Sequence, residues 1–93
     1  MKIKIAEEAK HVLTDLEIFV ESKNTKGAGK RFKKRFIEKI KSHLQNPIHQ
    51  DCKHESLKAK MLKCFFINDW VIAYKAEADQ IVIYVIIHGS LLY

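Results

Sequence analysis

Residues 80–88, which read QIVIYVIIH, decide the fold of this 93-residue chain. The core of the stretch, residues 81–87, is apolar without interruption and rich in β-branched and aromatic side chains, a composition typical of strands. A strand that is apolar on both faces needs cover on both of them. We therefore predict that residues 80–88 form the central strand of a sheet, with helices covering one of its faces.

Two shorter runs of the same character precede this strand. Residues 61–67 and 70–75 are rich in Phe, Ile, Val and Tyr, and only Asn68-Asp69 separates them. Residues 76–79 separate the second run from the last strand. Short connections between strand-forming runs are typical of antiparallel hairpins. The sequence thus predicts a three-stranded antiparallel meander that ends at residue 88.

The N-terminal half has a different period. Lys2 to Ile5 alternate polar and apolar side chains, which indicates a short strand. Apolar residues then recur at steps of three and four over Ala6–Ser22 and again over about Lys26–Gln45, before Pro47. This spacing is typical of amphipathic helices. We expect one α+β domain over residues 1–93, in the order β-α-α-β-β-β, with a helical hairpin packed on an antiparallel sheet.

Positive charge is concentrated in the second helix. The chain carries a net charge of +6, and residues 23–43 hold nine Lys or Arg against Glu38 alone, a local balance of 9 − 1 = +8. Clustered cations of this kind suit a polyanion or an acidic protein segment, and the sequence does not separate the two. The candidate nucleic-acid contacts on this helix are Lys30, Arg31, Lys34 and Arg35.

Composition also sets expectations about thiols, metals and location. Cys52 and Cys64 form no CxxC pair, so we predict free thiols in a reducing cytosol. His49, Asp51, Cys52 and His54 crowd a polar loop as possible metal ligands, but no second ligand pair exists for a zinc site, so neither metal nor cofactor is expected. No signal-peptide core and no membrane-spanning run is present, which predicts a cytoplasmic protein with no membrane partner.

Three stretches of the chain resemble bacterial toxins. They read HESLK over 54–58, DWVIAYK over 69–75 and HGSLLY over 88–93. Together with the element order and the basic helix, they resemble the RelE/ParE superfamily of type II toxin–antitoxin systems. The C-terminal half looks most like the YafQ branch, whose members carry a His-Pro-Leu element, an Asp-Trp-hydrophobic-Tyr-Lys strand and a terminal His-x-x-Leu-Phe.

This resemblance implies an activity and a set of site residues. YafQ-like toxins are ribosome-dependent endoribonucleases that cut mRNA, so the expected partners are an acidic antitoxin, the ribosome and mRNA, with no small-molecule substrate. His54, Asp69 and His88 match the family's functional positions. Tyr93 lies one place beyond the family's terminal aromatic residue, where this chain has Leu92.

The chemistry of metal-free RNA cleavage fits these residue types. The 2′-OH attacks phosphorus, a base accepts its proton, an acid protonates the leaving 5′ oxygen, and cations stabilise the charge on the phosphate. Histidine suits both proton transfers. The candidate catalytic residues are His54 and His88, with Asp69 orienting one of them and Tyr93 as a further proton donor, and the cations Lys58, Lys60 and Lys63 are candidates for contacting the phosphate.

Two alternatives remain open. The strand before Asp69 reads Lys63-Cys64-Phe65-Phe66, where the family often has Arg or His, and the long helices are closer to the ParE branch. ParE-like toxins inhibit DNA gyrase without catalysis. A degenerate member that acts only as a binding module is the other alternative. Convergence of the candidate residues would favour a nuclease, and their dispersal would favour either alternative.

Overall fold

The computed structural model describes residues 2–46 and 48–92, with the side chain of Leu92 outside this description. Its elements follow the predicted order, with one short helix added before the meander. They are β1 (Lys2–Ile5), α1 (Glu7–Lys23), α2 (Ala28–Leu44), α3 (Glu55–Lys58), β2 (Lys63–Ile67), β3 (Trp70–Glu77) and β4 (Gln80–His88), followed by a 3-10 turn over Gly89–Leu92.

The four strands form one sheet in the order β1-β4-β3-β2, so β4 is an interior strand as predicted. The meander of β2, β3 and β4 is antiparallel, which confirms that prediction. β1 pairs in parallel with β4, from Lys2 opposite Gln80 to Ile5 opposite Ile83. The sheet is therefore mixed and not antiparallel throughout. A parallel pair needs a long crossover, which the helices and the meander together supply.

The helical hairpin covers one face of the sheet, which we call the helix-covered face. Leu13 of α1 and Phe36 and Ile40 of α2 are at most 4% exposed. They belong to a core cluster with apolar residues of all four strands. Tyr74 is fully buried in this cluster and Trp70 packs against it, because Trp70, Ile72 and Tyr74 alternate along β3 and share one face. The apolar side of each predicted helix is thus the side that packs on the sheet.

A close contact joins α1 and α2 at Gly29. A Cβ atom at this position would collide with the backbone carbonyl oxygen of Glu17, so only glycine lets the helices approach this far. Glu21 of α1 then accepts hydrogen bonds from the backbone N–H groups of Gly27 (2.7 Å) and Gly29 (2.8 Å). The Gly29 and Gly27 hydrogen bonds hold the pKa of Glu21 below its usual value. This carboxylate therefore caps the start of α2 from the neighbouring helix.

The opposite face of the sheet is covered by residues 48–62, and we call it the loop-covered face. Cys52, Leu57 and Leu62 pack there against Val71 and Ala73 of β3. The short helix α3 contributes Leu57, which is 5% exposed. Among residues 2–46 and 48–92, no helix has the length and hydropathy needed to cross a membrane.

The two cysteines form a disulfide with a Cα–Cα distance of 4.9 Å, so the prediction of free thiols is wrong. The reason is that the loop runs beside β2. The Cys52 N–H donates to the carbonyl oxygen of Leu62 (3.0 Å), and the Cys64 N–H donates to the carbonyl oxygen of Gln50 (3.1 Å). This pairing brings two residues that are twelve apart in sequence to disulfide distance. Sequence spacing alone does not reveal such a pairing.

Candidate functional site

Five cations of α2 form two rows on different sides of the helix. Residues four apart in a helix share a side, so Arg31, Arg35 and Lys39 form one row and Lys30 and Lys34 lie on another. All five side chains are exposed. Lys33, which belongs to neither row, forms an ion pair with Glu17 of α1 at 3.4 Å.

The row of Arg31, Arg35 and Lys39 borders a cleft of about 480 Å³ between α2 and the β2–β3 turn. Phe32 and Phe36 continue this wall towards the core. The opposite wall comes from the turn and from the end of β4. We call this space the α2 cleft, and its remaining lining residues include Asn68, Asp69, Trp70 and His88.

The sheet register brings Asp69 and His88 together in this cleft. Trp70 lies opposite His88 in the β3–β4 pair, and their rings meet edge to face at 5.2 Å. The carbonyl of Asp69 accepts a hydrogen bond from the Gly89 N–H at 2.7 Å, which ties the turn to the end of β4. Two of the predicted catalytic residues are thus neighbours, and Arg31 and Arg35 line the same cleft.

His88 also has a local structural role. Its Nδ1 atom accepts the N–H of Ser90 at 3.3 Å and lies 2.8 Å from the Ser90 hydroxyl. An amide N–H can only donate, so Nδ1 is the acceptor and the neutral ring carries its proton on Nε2. The imidazole therefore caps the following 3-10 turn, and its acceptor nitrogen is already engaged.

His54 repeats the same arrangement elsewhere in the fold. Its Nδ1 accepts the N–H of Ser56 at 3.3 Å, lies 2.7 Å from the Ser56 hydroxyl, and caps α3. It lines a different cleft, of about 650 Å³, beside Phe66 and Val71 on the loop-covered face. The structure therefore does not bring His54 to Asp69 and His88. Tyr93, the fourth candidate, lies outside the described residues.

The remaining candidate cations also lie away from the α2 cleft. Lys63 forms an ion pair with Asp51 at 2.5 Å, and this hydrogen bond lowers the pKa of Asp51. Lys60 lines a third groove, with Glu7, Glu77 and Tyr84 among its other residues. Lys58 is the last residue of α3 and is exposed.

His49, which the sequence offered as a ligand or a loop residue, packs instead. Its Nδ1 lies 2.5 Å from the hydroxyl of Tyr74, and its ring contacts Phe65 at a centroid distance of 4.8 Å. Burial, and to a smaller extent the charge of His43, lowers the pKa of His49. This cluster anchors the loop to the end of the helix-covered core.

Sequence reasoning missed two features of the surface. Lys39 was not among the predicted contact residues of the basic helix, although its spacing from Arg31 and Arg35 places it in the same row. An apolar groove of about 630 Å³ also lies between α1 and the second half of β4. Its lining includes Val12, Leu16, Phe19, Tyr84, Ile87 and Leu91. The signals for it were Phe19, which widens the stripe of α1, and the two-sided apolar character of β4.

Comparison with known proteins identifies the family of this fold. A sequence profile described as the ParE toxin of type II toxin-antitoxin system, parDE, matches residues 3–93. No curated protein matches the chain significantly.

Proposed function

This chain belongs to the ParE toxin family of type II toxin–antitoxin systems, and we propose that its toxicity comes from binding DNA gyrase and not from cleaving mRNA. The family membership implies an antitoxin partner. It agrees with the superfamily resemblance read from the sequence, whereas no finding supports the YafQ branch. Gyrase is the target that a resemblance to ParE-like toxins implies.

The observation that carries this proposal is the separate position and the capping role of the two histidines. Metal-free RNA cleavage needs a base and an acid within reach of one phosphate. His54 and His88 line different clefts, and each offers its Nδ1 to a serine N–H that begins a helical turn. A structural cap explains both residues without any proton transfer to a substrate.

Ribosome-dependent endoribonuclease activity is the second candidate, and one observation favours it. Asp69, His88 and Arg35 line the same cleft, so part of the predicted catalytic set does converge. With His54 elsewhere, a nuclease would have to work with His88 as its only described histidine in that cleft. With Nδ1 engaged by Ser90, only Nε2 of His88 could face the substrate, as the donor of the protonated imidazolium, and the base would have to be Asp69 or a group of the ribosome.

The test is a pair of reactions with the same purified protein. One follows supercoiling of relaxed plasmid by gyrase, and the other maps the 5′ ends of an mRNA translated on ribosomes. We expect loss of supercoiling and an intact mRNA, with supercoiling restored by prior addition of the antitoxin. Ribosome-dependent cuts in the mRNA, with supercoiling unaffected, would reject gyrase in favour of the second candidate.

We further propose that the antitoxin occupies the apolar groove beside β4. β1 pairs with β4 only as far as Ile83, and among the described residues no strand lies beside that edge of β4 from Tyr84 onward. Phe19 and Leu91, which line the groove there, are 60% and 70% exposed. An extended antitoxin segment could add a strand at this edge and place apolar side chains in the groove.

A matched pair of substitutions on α1 tests this site. Ile18 and Phe19 are similarly exposed, at 62% and 60%, but only Phe19 lines the groove. Phe19→Ser should weaken antitoxin binding about 30-fold, the effect expected of an aromatic anchor, and Ile18→Ser should change it less than about twofold. Equal effects of the two substitutions would show that the groove is not the binding site. Antitoxin affinity that falls steeply with salt would point to the basic helix as the contact instead.

A further inference from the structure

The α2 cleft carries a regular cationic wall. Arg31, Arg35 and Lys39 follow one another along α2 at steps of four residues, or about 6 Å of helix rise. The described residues show no ion pair to any of the three side chains. Two of them are arginines, whose planar guanidinium matches two oxygens of one phosphate. A chain of phosphates could therefore run along this wall with each group near a cation.

The floor of the cleft is aromatic. Phe32 and Trp70 both line it, and each is half-buried, so part of each ring remains open to the cleft. Trp70 is held in place by edge-to-face contact with Phe36 at 6.4 Å. Cations that follow a backbone, next to aromatic rings on which bases stack, are the combination by which proteins bind single strands.

The far end of the cleft is polar and is formed by the β2–β3 turn. Asn68 and Asp69 are both exposed there and provide an amide and a carboxylate. These groups can accept hydrogen bonds from the edge of a base. An acidic peptide has no bases to stack and would leave the aromatic floor without a partner.

We propose that the α2 cleft binds a single-stranded nucleic-acid segment, with phosphates on Arg31, Arg35 and Lys39 and a base against Trp70. This site goes beyond the gyrase proposal and does not depend on it, because the contact can be measured without gyrase, ribosome or antitoxin. Single-stranded DNA and RNA share the chemistry that the cleft recognises, and the experiment compares them directly.

Trp70 makes this binding directly measurable. It is the single tryptophan of the chain and lines both the α2 cleft and the end of the apolar groove beside β4, so its fluorescence reports on these two spaces and the charge variants below assign a signal to the cleft. The oxidised 93-residue protein is titrated in separate experiments with a thymidylate oligomer, a uridylate oligomer, a short DNA duplex and a glutamate oligomer. We expect the thymidylate or the uridylate oligomer to quench the fluorescence of Trp70. The oligomer that binds more tightly identifies DNA or RNA as the preferred ligand. Three phosphate contacts should give log K a slope against log salt of about −2.

Two charge-matched variants separate the cleft from general attraction. Arg31→Gln with Arg35→Gln, and Lys30→Gln with Lys34→Gln, each remove two positive charges from exposed positions of α2. At about 0.1 M salt the first pair should weaken single-strand binding about 20-fold and the second less than about threefold, and the salt slope should fall by about 1.4 in the first pair only. Circular dichroism checks that both variants remain helical.

Several results would overturn the proposal. Equal weakening by the two pairs would mean that the helix attracts nucleic acid only through its overall charge. Quenching by the glutamate oligomer and not by the nucleic acids would make the cleft a docking site for an acidic protein. Duplex binding as strong as single-strand binding, or single-strand binding with no change in Trp70 emission, would exclude base stacking in the cleft.

Discussion

The two faces of the sheet are covered in different ways. On the helix-covered face, two helices of 17 residues each bury apolar side chains at regular steps, among them Leu13, Phe36 and Ile40. On the loop-covered face, Cys52 and Leu57 pack on β3 within a segment that contains one helix of only four residues. Its cover depends on a disulfide and on a few hydrogen bonds to β2. The first face is stabilised by many repeated contacts, whereas the second depends on a small number of individual links.

The largest predicted effect comes from the helix-covered face, at the point where its two helices touch. Gly29→Val adds side-chain atoms where even a Cβ would collide with the carbonyl of Glu17, so α1 and α2 must move apart. The free energy of unfolding should fall by at least about 3 kcal/mol, the upper range of overpacking costs. Urea denaturation measures this change, and Lys30→Val, at the exposed neighbouring position, is the control. Equal stability of Gly29→Val and the wild type would mean that the hairpin is not packed at this contact.

The next effect should be confined to the loop-covered face. Reduction of the Cys52–Cys64 disulfide releases a closed loop of about 13 residues, which costs about 2 to 3 kcal/mol in the chain-entropy estimate. Hydrogen exchange should speed up over residues 48–62 on reduction, and amides of α1 and α2 should remain protected. A uniform loss of amide protection over both faces would contradict the prediction that the disulfide stabilises only the loop-covered face.

The smallest effect concerns the pH dependence of the hairpin. The folded-state pKa of Glu21 is lowered, chiefly by the backbone N–H groups of Gly29 and Gly27. Its contribution to stability is therefore present above its unfolded pKa and is lost as pH falls through the folded value. Glu21→Gln should remove this part of the acid sensitivity, as seen in melting temperatures measured across the acidic range. Parallel pH profiles of variant and wild type would show that the carboxylate does not act as a cap.

The difference between the two faces also determines which parts of the fold could be predicted from the sequence. The helical periods of Ala6–Ser22 and Lys26–Gln45 and the apolar runs of residues 61–67, 70–75 and 80–88 are local signals, and they predicted both helices, the meander and the central strand. The parallel β1–β4 pair and the Cys52–Cys64 disulfide depend on segments that are distant in sequence, and the pattern showed neither. A polar loop contains no period from which its path beside β2 could be inferred.

At the candidate site too, local spacing could be predicted from the sequence, whereas contacts between distant segments could not. The spacing of Arg31 and Arg35 was enough to put them on one side of a helix. His54 and His88 lie in different clefts because the loop before α3 and the end of β4 reach different parts of the sheet. That placement follows from the tertiary fold and could not be predicted from local sequence. The His-x-Ser spacing at both histidines was a local signal for capping, and it was visible in the stretches HESLK and HGSLLY.

The most direct test of toxicity without catalysis replaces His88 by a residue that caps the 3-10 turn but does not transfer protons. Asparagine is a strong helix cap, so His88→Asn keeps an acceptor for the Ser90 N–H. The measurement is growth arrest after induction, with folding and antitoxin binding checked on the purified variant. If toxicity comes from binding gyrase without catalysis, His88→Asn remains as toxic as the wild type. A folded, antitoxin-binding variant whose toxicity has dropped by the factor of about 10² to 10⁴ that accompanies loss of a general acid or base would contradict it.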